Sequence, residues 1–427
     1  MTPDKEMLRR KTERHYMLVV FLNGVKNIRY DRHKRTIFLF AALAVLLVTA
    51  WLCQPGRYML PILWQVAVIG YSAAALAVLA AVTYWLGRVP HARQYYEDFL
   101  RIGWANSAGE PPVLTEYREV RDKLVELHFY SKGLPRAEWE ENKARLETAL
   151  NLYILEIREG ASRREVVLLC APGDVSLPTK ILWNQEYLSA KDFELVLGED
   201  PAGQVTIDLA KIPHLICAGC TGMGKSQMLL LMIAQSLEKG ADVFLADLAK
   251  QGTDYTAVRD KVRLLLDYPD LLAALDEISA EMDARRDLFL ASGCSNIVEY
   301  NMQGHDMRRI ILFIDETAAL LNGSSKERKA LASQTLEKLI DLARLGRFAG
   351  ISLVFGNQRT SVQNLPGDIK TLCDLRLSAK LPDTASSMCV MDDGSAATLP
   401  AIAGRFLLRD GTGIDKIFQA YYYADRD

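Results

Sequence analysis

The sequence predicts an α/β protein: a parallel sheet built around a phosphate-binding loop, preceded by a two-helix transmembrane hairpin and a small α+β adaptor. Three observations predict it. Gly219-Cys220-Thr221-Gly222-Met223-Gly224-Lys225-Ser226 fits G-x-x-x-x-G-K-[ST] without a mismatch. From about Leu197 onward, strand-like and helix-like segments alternate, the pattern of a parallel sheet covered on both faces. Upstream, Ile37 to Cys53 is apolar apart from Thr49, and Pro61 to Gly87 carries no charge. These features divide the chain into a cytoplasmic basic arm (1–35), two membrane helices (36–87), a cytoplasmic adaptor (88–190) and an ATPase domain (191–427).

The arm holds ten Lys/Arg against four Asp/Glu. Charge placement for topology accounts for it; contact with anionic lipid or nucleic acid is the alternative. The two apolar runs approach or exceed the roughly 20 residues that cross a bilayer core. Gln54-Pro55-Gly56-Arg57-Tyr58 between them reads as a tight turn, so the pair is a hairpin. Arg88 and Arg93 follow the second run, whereas the loop between the runs has only Arg57. By the positive-inside rule both termini face the cytoplasm, in a multi-pass protein of the plasma (inner) membrane. Trp51, Tyr58, Trp64, Tyr84 and Trp85 sit where interfacial aromatics are expected. A first apolar run that begins late, with a second behind it, is not the pattern of a cleaved signal peptide.

Net charge is only −2, so the chain is not a small, globally basic nucleic-acid-binding module. Its seven cysteines, Cys53, Cys170, Cys217, Cys220, Cys294, Cys373 and Cys389, are scattered and odd in number. Free thiols are expected. Cys217 and Cys220 form a CxxC, but they straddle the start of the glycine loop with no second pair nearby, which argues against zinc.

In the adaptor, Leu134-Pro135 followed by Arg136 to Glu159 reads as one amphipathic helix, with Trp139, Leu146, Leu150, Tyr153 and Ile157 at near-helical spacing. Val166 to Cys170 and Phe193 to Leu197 read as strands.

The glycine loop has the context it needs. His214 to Ala218 reads as a buried strand and Gln227 to Ala234 as a helix. Glycines let backbone N–H groups face the phosphates, and the helix N-terminus adds its positive dipole end. Lys225 is expected on the β- and γ-phosphates of ATP and the Ser226 hydroxyl on Mg²⁺. Asp242 to Ala246 is a strand ending at Asp247, Val262 to Leu266 another, and Leu271 to Ala291 a long amphipathic helix. Ile310 to Ile314 ends in Asp315-Glu316. An apolar strand ending in two acids, about 90 residues after a phosphate loop, is a Walker B strand. Asp315 is expected to hold Mg²⁺ through water and Glu316 to polarise the attacking water. Ile351 to Phe355 ends in Gly356-Asn357-Gln358-Arg359, where Gln358 either senses the γ-phosphate or caps a loop.

Leu197 to Gly203 and Asp208 to Leu215, running into the glycine loop, resemble the entry to the FtsK/SpoIIIE family of DNA translocases. So do Asn296 to Asn301, Asp315-Glu316, and Ala349 to Val354 with Asn357-Gln358-Arg359. The resemblance spans roughly residues 190–423 in order. It implies a RecA-like P-loop ATPase that assembles as a homo-hexamer and threads double-stranded DNA through a central pore. Cys220 and Met223 stand where that family usually has Thr and Ser; both are x positions, so nucleotide binding should survive. The short span-to-motor connection, and the expected lack of a winged-helix domain after the motor, resemble the small FtsK-like (TcpA-type) coupling proteins of Gram-positive conjugative elements. Gly133-Leu134-Pro135, Trp139-Glu140 and Leu146 to Asn151 suit that subgroup.

The resemblance implies ATP between neighbouring subunits, with an arginine supplied in trans. Arg376 best matches the finger position; Arg344, Arg347 and Arg359 are rivals. It also places DNA contacts near Lys380, Arg405, Arg409 and Lys416, with Ser324 to Lys329 as another candidate. The expected function is an ATP-driven DNA translocase that delivers DNA to a conjugative channel, with a relaxase and channel proteins as partners. Alternatives are a chromosome-segregation or sporulation translocase, a type VII-like protein-secretion ATPase, and a scaffold with a degenerate nucleotide site.

Overall fold

The computed structural model describes residues 3–57, 60–121, 124–173, 177–321, 325–358, 365–411 and 415–424. Tyr58, Ser324 and Arg359 lie outside the described residues. The chain folds as two compact units, Met1–Ser176 and Leu177–Asp427.

The first unit begins with α1 (Pro3–Tyr30), α2 (Arg32–Leu52) and α3 (Pro61–Leu86). Asp31 separates α1 from α2 and caps α2, its carboxylate accepting from the backbone of His33 and Lys34. Both α2 and α3 are long and apolar enough to cross a membrane, and almost none of their surface is buried within the unit. The expected basic arm is a helix that docks. Thr12, Tyr16, Val19, Val20 and Asn23 of α1 are buried. Asn23 donates to the carbonyls of Gly87 and Thr115, and Asn27 to that of Leu86. The crossing of α1 and α3 needs glycine: a Cβ on Gly24 would lie 1.9 Å from the Thr83 carbonyl oxygen, and one on Gly87 1.9 Å from that of Val20.

Beyond the helices lie α4 (Ala92–Arg101), β1 (Val113–Arg121), β2 (Leu124–Tyr130), α5 (Arg136–Glu141), α6 (Lys143–Leu150), β3 (Leu152–Glu159) and β4 (Glu165–Pro172). The strands form an antiparallel sheet in the order β1-β2-β4-β3. Trp139 is fully buried against Phe99, Trp104 and Phe129, and its indole N–H donates to Ser131. The single helix expected over 136–159 is not formed. Asn142 ends α5, and Asn151 ends α6 in the left-handed region at φ 51°. The chain then extends, with Leu152, Ile154 and Ile157 buried. Trp139, Leu146, Leu150 and Ile157 are core residues as expected, but from three elements. The run Leu152-Tyr153-Ile154-Leu155-Glu156-Ile157 is rich in β-formers, and a bulge between Ile154 and Glu156 keeps Ile157 facing inward.

The second unit opens with β5 (Ile181–Leu182), β6 (Glu194–Asp200) and β7 (Gly203–Asp208). Residues 177–190, expected in the adaptor, therefore lie in this unit. Next come β8 (His214–Ala218), α7 (Lys225–Glu238), β9 (Asp242–Ala246), β10 (Arg263–Leu265), α8 (Tyr268–Ser292), α9 (Ile297–Met302), β11 (Ile310–Ile314), α10 (Thr317–Leu321), α11 (Lys326–Leu345) and β12 (Ile351–Asn357). The chain ends with α12 (Gly367–Leu372), β13 (Leu375–Ala379), α13 (Thr384–Met391), α14 (Ser395–Thr398), β14 (Arg405–Arg409) and β15 (Lys416–Tyr422). The main sheet runs β10-β9-β11-β12-β8-β13-β14-β15-β6-β7, with β5 added to β15. From β10 to β13 every pairing is parallel; from β13 to β7 every pairing is antiparallel.

Period-2 alternation sends β8 side chains to two cores. Leu215 and Cys217 pack with α7, through Met228, Leu229 and Met232. Ile216 and Ala218 pack on the opposite face with α8 and α11, through Leu275, Ile278, Leu339 and Leu342. Covering both faces explains why the parallel strands read as uninterrupted apolar runs. The order also positions the site: β8 and β11 flank β12, so the loops leaving all three meet at one end of the sheet, where α/β folds bind ligands.

Candidate nucleotide-binding and hydrolytic site

The glycine loop leaves β8 and turns into α7. Gly222 and Gly224 adopt φ of 81° and 103°, which side chains rarely tolerate. A neighbouring loop braces it, with the Gly404 N–H donating to the Met223 carbonyl at 2.9 Å. A Cβ on Gly224 would sit 3.0 Å from that same Gly404 nitrogen. On the other side, the Gly219 N–H donates to the Asn357 carbonyl and the Cys220 N–H to that of Lys380.

Lys225, the first residue of α7, is buried, with its Nζ 2.7 Å from Oδ1 of Asp315 at the end of β11; it also donates to the Asp315 carbonyl. Tyr255 donates its phenolic proton to the same Oδ1 at 2.6 Å. The other Asp315 oxygen, Oδ2, is buried without a hydrogen-bond partner among the described residues. Ser226 donates to Oδ2 of Asp254 at 3.0 Å, and Lys250 donates to that oxygen at 2.6 Å. Glu316 accepts the backbone N–H of Gln358 at 2.9 Å on Oε2, while its buried Oε1 has no partner among the described residues. Both side-chain polar atoms of the fully buried Asn357 are likewise unpaired among the described residues.

Burial raises the Glu316 carboxyl above its usual range, although the Gln358 N–H and Lys225 oppose the shift. Burial also opposes ionisation of Asp254, but Lys250 and Ser226 outweigh it and hold that carboxyl low. Desolvation pushes the Cys217 thiol up to about 12, so the CxxC supplies no thiolate from that residue. No group of metal-binding side chains of zinc type occurs among the described residues.

A cavity of about 490 Å³ lies over the loop. Cys220, Thr221, Gly222, Gly224, Lys225, Ser226 and Gln358 line it, while Gly219 and Met223 complete the loop and Asp315 and Glu316 stand behind it. The strand ends near Gly404 and Tyr421-Tyr422, with Lys180 over the Tyr422 ring at 4.1 Å, form its far wall. The cavity's size and glycine-loop floor suit a nucleoside triphosphate. Ser226 and Asp315 fit Mg²⁺: both present oxygen, and the buried Asp315 Oδ2 is unpaired.

Arg376 does not join this group. It lies on β13, donates to the Val390 carbonyl and pairs with Asp392 of its own chain. Arg344, in the last turn of α11, and Arg347, in the turn that leads into β12, are exposed at the opposite end of the sheet from the glycine loop, where they border a separate cavity. The expected DNA-contacting cations are engaged too. Lys380 donates to the carbonyls of Ala397 and Leu399, Arg405 is buried on Gln419, Arg409 pairs with Asp393 and Asp415, and Lys416 lies near Asp410. Lys326, Arg328 and Lys329, in the first turn of α11, are exposed.

Sequence reading missed Asp247, Lys250, Asp254 and Tyr255. Its one available signal was the strand ending at Asp247. That carboxylate accepts the N–H groups of Lys250 and Gly252, and so folds the following loop back onto the site.

The FtsK/SpoIIIE family pattern matches residues 182–309. The DNA translocase FtsK of Leptospira interrogans is 29% identical over 271 residues, 60% of this chain and 28% of that protein. The FtsK of Campylobacter jejuni is 29% identical over 273 residues. The chain thus spans under a third of the length of these curated relatives. The pCW3 conjugation coupling protein TcpA, solved as a monomer with ATPγS, is 30% identical; the match covers 79% of this chain and 96% of that one, with a TM-score of 0.58. EssC ATPases 2 and 3 of Geobacillus thermodenitrificans share the fold at 15% identity and a TM-score of 0.50, over 59% of this chain and 49% of that one. The chain belongs to the FtsK/SpoIIIE family of P-loop ATPases.

Proposed function

We propose that this chain is a membrane-anchored, ATP-driven DNA translocase that acts as a coupling protein, delivering DNA to a conjugative transfer channel. One observation carries the reading: the phosphate-loop and Walker B set, Lys225, Ser226, Asp315 and Glu316, follows two membrane-length helices and a small sheet in a chain whose match covers 96% of the solved TcpA chain. In this reading both termini are cytoplasmic, the ATPase units form a homo-hexamer, and DNA passes through its pore. A relaxase and channel proteins are the partners.

Bound Mg²⁺–ATP supplies the γ-phosphoryl group and the charge that neutralises it. The chain's residues do the rest. Lys225 is preset beside Asp315 to take phosphate oxygens in exchange. Glu316, its carboxyl raised by burial, orients and polarises the attacking water. Gln358, tied to Glu316 through its N–H, couples the strand end to the γ-phosphate. An arginine in trans completes the site; Arg376 in this role must leave Asp392, whereas Arg344 and Arg347 are already exposed.

The test is ATP hydrolysis by the full chain in detergent or nanodiscs, with no nucleic acid, with double-stranded DNA and with single-stranded DNA, beside Glu316→Gln. Stimulation by DNA that Glu316→Gln abolishes supports the reading. A rate indifferent to DNA overturns it and favours a protein cargo.

A further inference from the structure

The loop from Asp247 to Tyr255 touches both groups that fit Mg²⁺, through separate side chains. Asp254 accepts the hydrogen bond of the Ser226 hydroxyl, and Tyr255 donates to Asp315 Oδ1. A hydroxyl has one proton and two lone pairs. With its proton committed to Asp254, Ser226 keeps its lone pairs for a cation. With Oδ1 committed to Tyr255 and Lys225, Asp315 is left with Oδ2, the buried and unpaired oxygen. Lys250 pairs with the same Asp254 oxygen that accepts from the serine hydroxyl, so the carboxylate's charge is balanced beside the phosphate site. The loop itself is held by Asp247, which accepts from Lys250 N and Gly252 N at 2.8 Å each, and Gly252 takes φ 76°.

We propose that Asp254, with Lys250 as its counter-ion, is a positioning residue for Mg²⁺: it orients the Ser226 hydroxyl toward the metal without ligating the metal itself. Groups that orient metal ligands typically contribute 10- to 100-fold in metal affinity. This proposal rests on the nucleotide-site reading above.

The experiment follows binding of a fluorescent methylanthraniloyl-ADP to the full chain while Mg²⁺ is titrated, with Mn²⁺ binding followed by electron paramagnetic resonance as a second readout. Asp254→Ala is expected to raise the half-saturating Mg²⁺ concentration about 10-fold or more, with nucleotide affinity in EDTA unchanged. Asp254→Asn keeps an acceptor for the serine proton and should restore most of the wild-type value. Because Asp254 acts through Ser226, Asp254→Ala should add little to Ser226→Ala in the double variant. Mg²⁺ curves that coincide for wild type and Asp254→Ala overturn the proposal. So does an equal loss of binding in EDTA, which would mark a packing role for the loop, or full additivity with Ser226→Ala. A wild-type chain that binds nucleotide indifferently to Mg²⁺ instead overturns the metal assignment of Ser226, and the proposal with it.

Discussion

Lys225 and Asp315 form a buried ion pair, with side chains 2% and 0% exposed and Nζ 2.7 Å from Oδ1. Removing one partner of such a pair leaves an uncompensated buried charge, at a cost of about 3–5 kcal/mol. Asp315→Ala should therefore lower the nucleotide-free melting temperature of the ATPase unit by ~10 °C, taking 2–4 °C per kcal/mol for a unit of this size. Asp315→Asn, which can still accept from Lys225 and Tyr255, should lose less. Differential scanning fluorimetry without nucleotide checks both; equal melting temperatures for wild type and Asp315→Ala would show that the pair contributes nothing.

That pair was legible in outline. The glycine loop and Asp315-Glu316 are contiguous runs, and an apolar strand leading into each fixes their place at one sheet end. The loop carrying Lys250, Asp254 and Tyr255 was not legible, because its meaning lies in contacts across 28 to 60 positions that no local pattern encodes. Residues 136–159 misled for another reason. Apolar residues at 139, 146, 150 and 157 satisfy a helical period, yet the helix is broken twice, at Asn142 and at Asn151, where the chain turns left-handed and extends. The partners of the arginines and lysines expected on DNA were not legible either, because charge in a sequence does not reveal its partner; Arg409 is bound by Asp393 and Asp415, sixteen and six residues away.

Glu316 couples activity to stability in opposite directions. Its carboxyl is raised by burial, so the folded chain holds that proton more tightly than the unfolded chain does. Ionised Glu316 thus destabilises the fold above its folded pKa, and the penalty disappears as pH falls to the ordinary carboxyl value. Glu316→Gln should melt higher than wild type at pH 8, with the advantage gone near pH 4. Hydrolysis should fall about 100-fold or more, the usual loss of a general base. Melting curves across pH, beside steady-state rates, read both effects; a variant no more stable at pH 8 than wild type would remove the burial argument.

Gly24 and Gly87 set how closely α1 approaches α3. A methyl at either position would lie 1.9 Å from a carbonyl oxygen, too close for side-chain adjustment to relieve. Gly24→Ala is expected to destabilise the first unit by about 1–3 kcal/mol, the usual range for overpacking. Limited proteolysis of the full chain in detergent should then cut α1 faster, while nucleotide binding at the ATPase unit stays unchanged. Unaltered cleavage would mean that the close approach at Gly24 does not decide how firmly α1 is held.

Lys326, Arg328 and Lys329 present exposed charge on α11, where the other basic candidates are engaged. Contacts of this kind go to phosphates, so each cation removed should weaken DNA binding for all sequences and reduce the slope of log affinity against log salt by about 0.9 for double-stranded DNA. Charge removal at all three, measured by fluorescence anisotropy from 50 to 300 mM salt, should flatten the slope by up to about 3. A slope identical to wild type would move DNA contact off this helix.

Arg376 and Asp392 separate a brace from a trans finger. Their ion pair, with Lys370 on the other Asp392 oxygen, ties β13 to the end of α13. If Arg376 only braces, Arg376→Ala and Asp392→Ala should lower the melting temperature by similar, non-additive amounts and reduce hydrolysis only through lost stability. If Arg376 is the finger, Arg376→Ala should lower kcat by 10³-fold or more, the scale of an arginine finger, while Asp392→Ala, which frees the arginine, should not. The finger carries a further consequence, because it serves the neighbouring site. Mixing Arg376→Ala with Lys225→Ala chains should then restore part of the activity, since some interfaces would pair an intact Lys225 with an intact Arg376. No recovery on mixing, with partial recovery from the corresponding Arg347→Ala mixture, would give the trans role to Arg347.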